Sequence, residues 1–132
     1  MAEYAQPCCS PYLSPAARAG KPSLAERDLL TYEQTAQLVG LFKTLGNDTR
    51  LRLLHALHRG GQVAVGELAG QVGMTAQAVS NQLQRLTDRG IVTARRDGNR
   101  VFYTLADPCV PAVLDLALCL TEETAVGRDA SS

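Results

Sequence analysis

The chain has 132 residues and four cysteines, and the four fall into two pairs of different spacing. Cys8 and Cys9 are adjacent in "PCCSP", whereas Cys109 and Cys119 stand ten residues apart in "CVPAVLDLALC". A thiolate is the soft ligand and the strong nucleophile among side chains. The chemistry on offer is therefore capture of a soft ion or oxidation of a thiol. Disulfide staples belong mainly to secreted chains. The stretch "MAEYAQPCCSPYLSPAARAG" lacks the basic start and apolar core of a secretory signal. No apolar run approaches the roughly 20 residues of a membrane span. The expectation is a cytoplasmic protein with reduced thiols and no membrane partner.

A second stretch, "MTAQAVSNQLQRLTDRGIV" (74–92), carries a different chemistry. Thr75, Gln77, Ser80, Asn81, Gln82 and Gln84 are hydrogen-bonding groups, Ala76 and Ala78 are small, and Arg85 and Arg89 follow. Gln and Asn can address adenine in a bidentate way, and small residues let a backbone approach the bases. Farther on, Arg95, Arg96 and Arg100 surround a single Asp97. Formal net charge is zero, so any affinity for nucleic acid must come from such a local patch. The bland alternative is a solvated polar helix beside a basic surface hairpin.

The elements that must position these groups follow from periodicity and caps. Residues 1–24 are rich in Pro, Ala, Ser and Gly and read as a mobile arm carrying Cys8 and Cys9. From Ser23 the pattern turns helical and breaks at Gly46. Asn47 or Asp48 caps a helix that the double glycine at 60–61 ends. "VAVGELAGQVG" reads as a short extended piece leading into a helix that closes at Gly73. Thr75 caps the polar helix, in which Val79, Leu83 and Leu86 form the inward stripe, and Gly90 terminates it. Two β-rich runs around Asp97-Gly98-Asn99 signal a hairpin. Asp107 and Pro108 open a last helix, to about Thr124, and 125–132 read as a disordered tail. The expected fold is mainly α with a small β-hairpin, a winged helix-turn-helix domain over 25–124. The second helix of such a motif enters the major groove with its N-terminal residues, here Thr75, Gln77, Ala78, Ser80, Asn81, Gln82 and Gln84. Arg85, Arg95, Arg96 and Arg100 would hold phosphates.

Helical rise constrains the sulfurs. Cys109 and Cys119 on one helix are about 15 Å apart along its axis. Two thiolates on one ion, at about 2.3 Å each, lie within about 5 Å of each other. One helix cannot bring both to one ion. If the last helices of two protomers pair antiparallel, Cys109 of one comes level with Cys119 of the other, and two-fold symmetry gives two sites. Cys119 also sits in an apolar run and can be read as a small core residue. His55 and His58 share a helix face without a carboxylate pair and read as surface or packing residues.

The pieces "LFKTLGNDTRLRLLHAL" and "ELAGQVGMTAQAVSNQLQRLTDRGIVTARRDGNRVFYTL", with the closing helix, resemble the ArsR/SmtB family of metal-responsive repressors. The resemblance covers about 30–124. It implies a homodimer, formed by the first and last helices, that binds double-stranded inverted-repeat operator DNA and is released by metal. The family's third-helix Cys-x-Cys site has no counterpart, because the matching stretch "VAVGEL" holds no thiol. Aligned on Asp107, zinc-sensing relatives place His at Cys109, His at Leu120 next to Cys119, and Glu at Glu123. The resemblance thus implies Cys109, Cys119, Asp107 and Glu123 as metal ligands; an arm long enough to fold back could add Cys8 and Cys9, which otherwise read as incidental arm residues. Asp107 has the alternative role of a helix cap, and Glu123 that of a solvated side chain. Thiolates in place of imidazoles favour Cd(II), Pb(II), Hg(II) or As(III), with Zn(II) still possible, and no organic cofactor is expected. Two rival readings keep the fold: a thiol redox or persulfide switch, and a DNA-binding regulator with no ligand. An enzyme is not expected, because no Gly-rich phosphate loop, acid pair or Ser/His/Asp spacing occurs.

Overall fold

The computed structural model describes residues 20–131, with side chains as far as Glu122. The chain falls into two units, Leu30–Val110 and a second made of Met1–Leu29 with Pro111–Ser132. In the first, α1 (Tyr32–Leu45) and α2 (Asp48–Gly60) precede the short strand β1 (Gln62–Ala64). Then come α3 (Val65–Val72), α4 (Ala76–Asp88), β2 (Val92–Asp97) and β3 (Arg100–Leu105). The last helix, α5 (Cys109–Ser131), begins at the end of this unit and supplies the second. It runs past the expected end at Thr124.

The helix expected from Ser23 is two separate pieces. Ser23 and Glu26 form a capping box around one 3-10 turn, Leu24–Glu26, and the Ser23 amide and hydroxyl hold the Glu26 carboxyl below its ordinary range. Arg27 then returns to extended backbone. Thr31 and Gln34 form a second capping box, Thr31 Oγ1 accepting from the Gln34 amide at 3.1 Å and Gln34 Oε1 from the Thr31 amide at 3.0 Å. Each start signal satisfies its own orphan amides, so the strong one at Thr31 opens α1. Asn47 caps α2, its side chain accepting from the Arg50 amide at 3.0 Å.

β1 does more than lead into a helix. It pairs antiparallel with β3, Val63 opposite Tyr103, giving a three-stranded sheet of order β1-β3-β2. The β2–β3 connection places Gly98 at φ 64 while Asn99 stays at negative φ, the combination of a type II′ hairpin. Leu53, Leu54, Leu57, Leu68, Val79, Leu83, Leu86 and Val92 are fully buried. Val79, Leu83 and Leu86 anchor α4, and each contributes roughly 1.5–3 kcal/mol on burial. That exceeds the helix-propensity deficit of Ser80 and Asn81, at most about 0.7 kcal/mol each. Packing decides that this polar segment is a helix. Leu83→Ala is expected to lower unfolding free energy by about 2–5 kcal/mol at fixed protein concentration, measured by urea titration. No change would show that α4 is not anchored by that stripe.

Candidate nucleic-acid interface and sulfur positions

Three residues separate α3 from α4. Gly73 takes the left-handed conformation (φ 69, ψ 37) that α3 needs to end, and the Met74 amide donates back to the Ala69 carbonyl at 3.0 Å. Thr75 then caps α4, its hydroxyl accepting from the Ala78 amide at 3.1 Å. The first turn of α4 carries no acidic residue, so its positive end is not neutralised from within the helix. At the next turn Gln77 and Asn81 are exposed and joined, Gln77 Nε2 donating to Asn81 Oδ1 at 3.0 Å. This bond leaves the Gln77 carbonyl and the Asn81 amide nitrogen as a fixed acceptor and donor on the outer face. Ala78 and Ser80 are half-buried beside them.

The other polar positions of α4 differ in kind. Gln82 is half-buried, and its Oε1 accepts from Arg50 Nη1 at 3.1 Å, while Arg50 Nε donates to the Thr44 carbonyl at 2.7 Å. One guanidinium therefore ties the end of α1 and the start of α2 to the middle of α4. Gln84 donates to Asp88 Oδ1 at 2.8 Å, one turn along the helix. Arg85 is exposed. Arg89 lies over the backbone of α1 at Gly40, where a Cβ would come within 2.8 Å of its Nη2. The absent side chain at Gly40 is what admits that guanidinium. Arg50 thus positions α4, a role the sequence pattern does not announce, since it looks like an ordinary surface cation, whereas Arg89 is exposed and only lies against α1.

Strand alternation divides the wing. Arg95 stands opposite Phe102 and Asp97 opposite Arg100, on one face, whereas Arg96 stands opposite Val101 on the other. All three arginines are exposed, but Arg96 points away from the face that Arg95 and Arg100 share. The only ion pair among the described residues is Arg95–Asp97 at 3.9 Å, both partners solvated.

Cys109 is a half-buried thiol at the start of α5. Asp107 Oδ1 accepts from its backbone amide at 2.7 Å, so Asp107 does serve as the helix cap. Cys119 is buried and disulfide-bonded. Cys8 and Cys9 lie outside the described residues, and Glu123 lies on α5 beyond the last described side chain. Among the described residues no three of His, Cys, Asp and Glu gather as a metal group within one chain. His55 and His58 are exposed. On α1, Tyr32, Val39 and Phe42 are largely exposed, and on α5 so are Leu118 and Leu120. Among the described residues no helix is long and apolar enough to cross a membrane.

Residues 45–95, from the end of α1 to the wing, match the model of a helix-turn-helix domain. The chain is 36% identical over 113 residues to a probable mercury resistance operon repressor from Streptomyces lividans, covering 86% of this chain and 87% of that one. It is also similar to the crystal structure of the AntR antimony-specific transcriptional repressor. The TM-score there is 0.70 and the identity 58%, over 80% of this chain and 95% of that one. The chain belongs to the ArsR/SmtB family. A homodimeric winged helix-turn-helix domain from Mycobacterium bovis, described as a possible ArsR-family transcriptional regulator, matches with TM-score 0.63 and 30% identity, over 75% and 94% of the two chains. As a member of the ArsR/SmtB family the protein is a DNA-binding transcriptional regulator of winged helix-turn-helix fold, and not an enzyme.

The contrast within α4 has a consequence for this regulator. Gln82→Ala is expected to cost about 1–2 kcal/mol of stability in urea unfolding, because it leaves the half-buried Arg50 short of an acceptor. Asn81→Ala, at an exposed position, is expected within about 0.5 kcal/mol of native. Equal costs would remove the distinction between a tethering and a free polar position.

Proposed function

We propose that the protein is a homodimeric repressor that binds an inverted-repeat operator and is released when a thiophilic ion meets sulfurs of α5. The observation that carries this reading is the buried, sulfur-bonded Cys119. At least two sulfurs meet there, and once reduced to thiolates they are the donor set a soft ion requires. Cys119 is the proposed central donor, with Cys109, Cys8, Cys9, Asp107 and Glu123 as further candidates; the sulfur bonded to Cys119 is not that of Cys109, which is a thiol. Asp107 already has one oxygen engaged as a cap. The exposed apolar residues of α1 and of α5 are the proposed subunit contacts, in keeping with the homodimeric relative. The relatives named for mercury and for antimony favour Hg(II) or a trivalent metalloid, Sb(III) or As(III), over Zn(II), Cd(II) or Pb(II).

In this reading Gln77 and Asn81 address base edges, with Thr75, Ala78, Ser80 and Gln84 at the groove wall and Gln82 holding the helix. Arg85, Arg95, Arg96 and Arg100 neutralise phosphates and release counterions without reading sequence. A bound ion supplies the free energy that favours a dimer geometry with lower DNA affinity. An effector acts only through its difference in affinity between two states, typically 5- to 150-fold in the other ligand's affinity. A second reading rests on the same Cys119 bond. Two thiols losing two electrons and two protons to an oxidant would form the disulfide and trigger release without an ion.

Cys109→Ser and Cys119→Ser are each expected to bind duplex DNA like the native reduced protein yet to lose ion-driven release, read by fluorescence anisotropy. Retained release in both variants would rule out the α5 site. Oxidant-driven release of native protein, with no response to any ion, would select the redox reading instead. Arg95→Ala and Arg100→Ala are each expected to weaken binding to all duplexes and to lower the salt slope by about 0.9 per lost phosphate contact. Gln77→Ala is expected to relax sequence preference with little change in that slope. Identical behaviour of the two classes would end the division between holding and reading.

A further inference from the structure

Three side chains from two strands converge on one face of the wing. The register sets Arg95 opposite Phe102, and Arg100 lies two residues before Phe102 on the same strand, so all three project the same way. The Arg95 guanidinium carbon stands 5.2 Å from the Phe102 ring centroid and that of Arg100 stands 5.0 Å from it. Both lie inside the roughly 6 Å at which a ring quadrupole attracts a cation. Two like charges gather at one ring, although the one carboxylate paired with either of them among the described residues, Asp97, meets Arg95 alone and at a solvated 3.9 Å. Such an exposed pair contributes little. The ring itself is half-buried and is not among the fully buried side chains that anchor the core.

We infer that Phe102 is a positioning residue for DNA binding, whose ring holds Arg95 and Arg100 ready as a paired cation for neighbouring phosphates. The inference rests on the reading of the wing as a phosphate-holding element. A free arginine loses much rotamer freedom when it docks. One already held over a ring loses less, and prior order of this kind raises affinity without adding contacts. Phe102 therefore governs how tightly the wing binds, and the arginines govern how many counterions are released. The two quantities separate in a salt titration.

The test uses the full reduced chain and a mixed-sequence duplex at several salt concentrations, because phosphate contacts do not depend on sequence. Two exposed cation–π contacts correspond to at most about thirtyfold in affinity. Phe102→Leu is expected to weaken binding about five- to thirtyfold with the salt slope unchanged, and Phe102→Tyr to bind like the native protein. A series of fluorinated phenylalanines at position 102 keeps the ring's shape while draining its quadrupole, so affinity is expected to fall stepwise along it. That series remains informative if the leucine variant folds poorly. A flat fluorination series, or native affinity in Phe102→Leu, would overturn the role of the ring while Arg95→Ala and Arg100→Ala still lowered the slope. If those arginine variants kept native affinity and slope, the wing reading itself would fall, and the inference with it.

Discussion

The regulator depends on one stripe of side chains. Val79, Leu83 and Leu86 are wholly buried along a single side of α4, and no other orientation of that helix would hide them. Once they point inward, a 3.6-residue period forces Gln77 and Asn81 outward and leaves Gln82 at the edge, half-buried. Thr75 and Gly73 set where the helix starts, and Gly90 sets where it stops. The Ile91 amide closes that end on the Leu86 carbonyl at 2.9 Å. The surface proposed to read DNA is thus a by-product of hydrophobic burial, with its polar groups carried passively to the outside.

Arginines divide the remaining labour by location. Arg50 and Arg89 turn toward the protein, the first onto the Thr44 carbonyl and Gln82, the second onto the backbone at Gly40. They link α4 to α1, the helix whose exposed Tyr32, Val39 and Phe42 suit a second subunit. The Arg50 guanidinium can do this because its planar fork serves two acceptors at once. Arg85, Arg95, Arg96 and Arg100 face solvent, so a chain of zero net charge still presents a cationic wing. Because of these links, a shift of α1 would be felt by α4.

Much of this was legible in the residues. The inward stripe of α4, its Thr75 cap, the Gly73 and Gly90 stops, and the hairpin at Gly98-Asn99 all follow from local rules that depend on a few neighbouring positions. The failures have a common cause in longer-range partners. β1 is too short to announce itself as a strand and exists because β3 offers it a ladder. Ser23 and Thr31 are both valid helix starts, and only Thr31 has a continuous apolar face after it. Arg96 was counted with Arg95 and Arg100 by charge, although the pleat sends it the other way. Arg50 and Gln82 are 32 positions apart, and nothing in either residue names the other. At the sulfur positions, spacing along one helix revealed that Cys109 and Cys119 cannot serve one ion within a single chain. Cys119 nevertheless meets another sulfur, and spacing along one helix does not reveal which.

The most direct measurement follows two signals from one sample of the native reduced protein on a labelled duplex as Sb(III), As(III) or Hg(II) is added. Sulfur-to-metal charge-transfer absorption reports capture by thiolates, and anisotropy of the label reports release. The expected result is that both change together and level off at the same ion-to-dimer ratio, near two. Release that runs to completion with no sulfur absorption, or full sulfur absorption with the duplex still bound, would contradict the proposal that thiolate capture in α5 controls the hold on DNA.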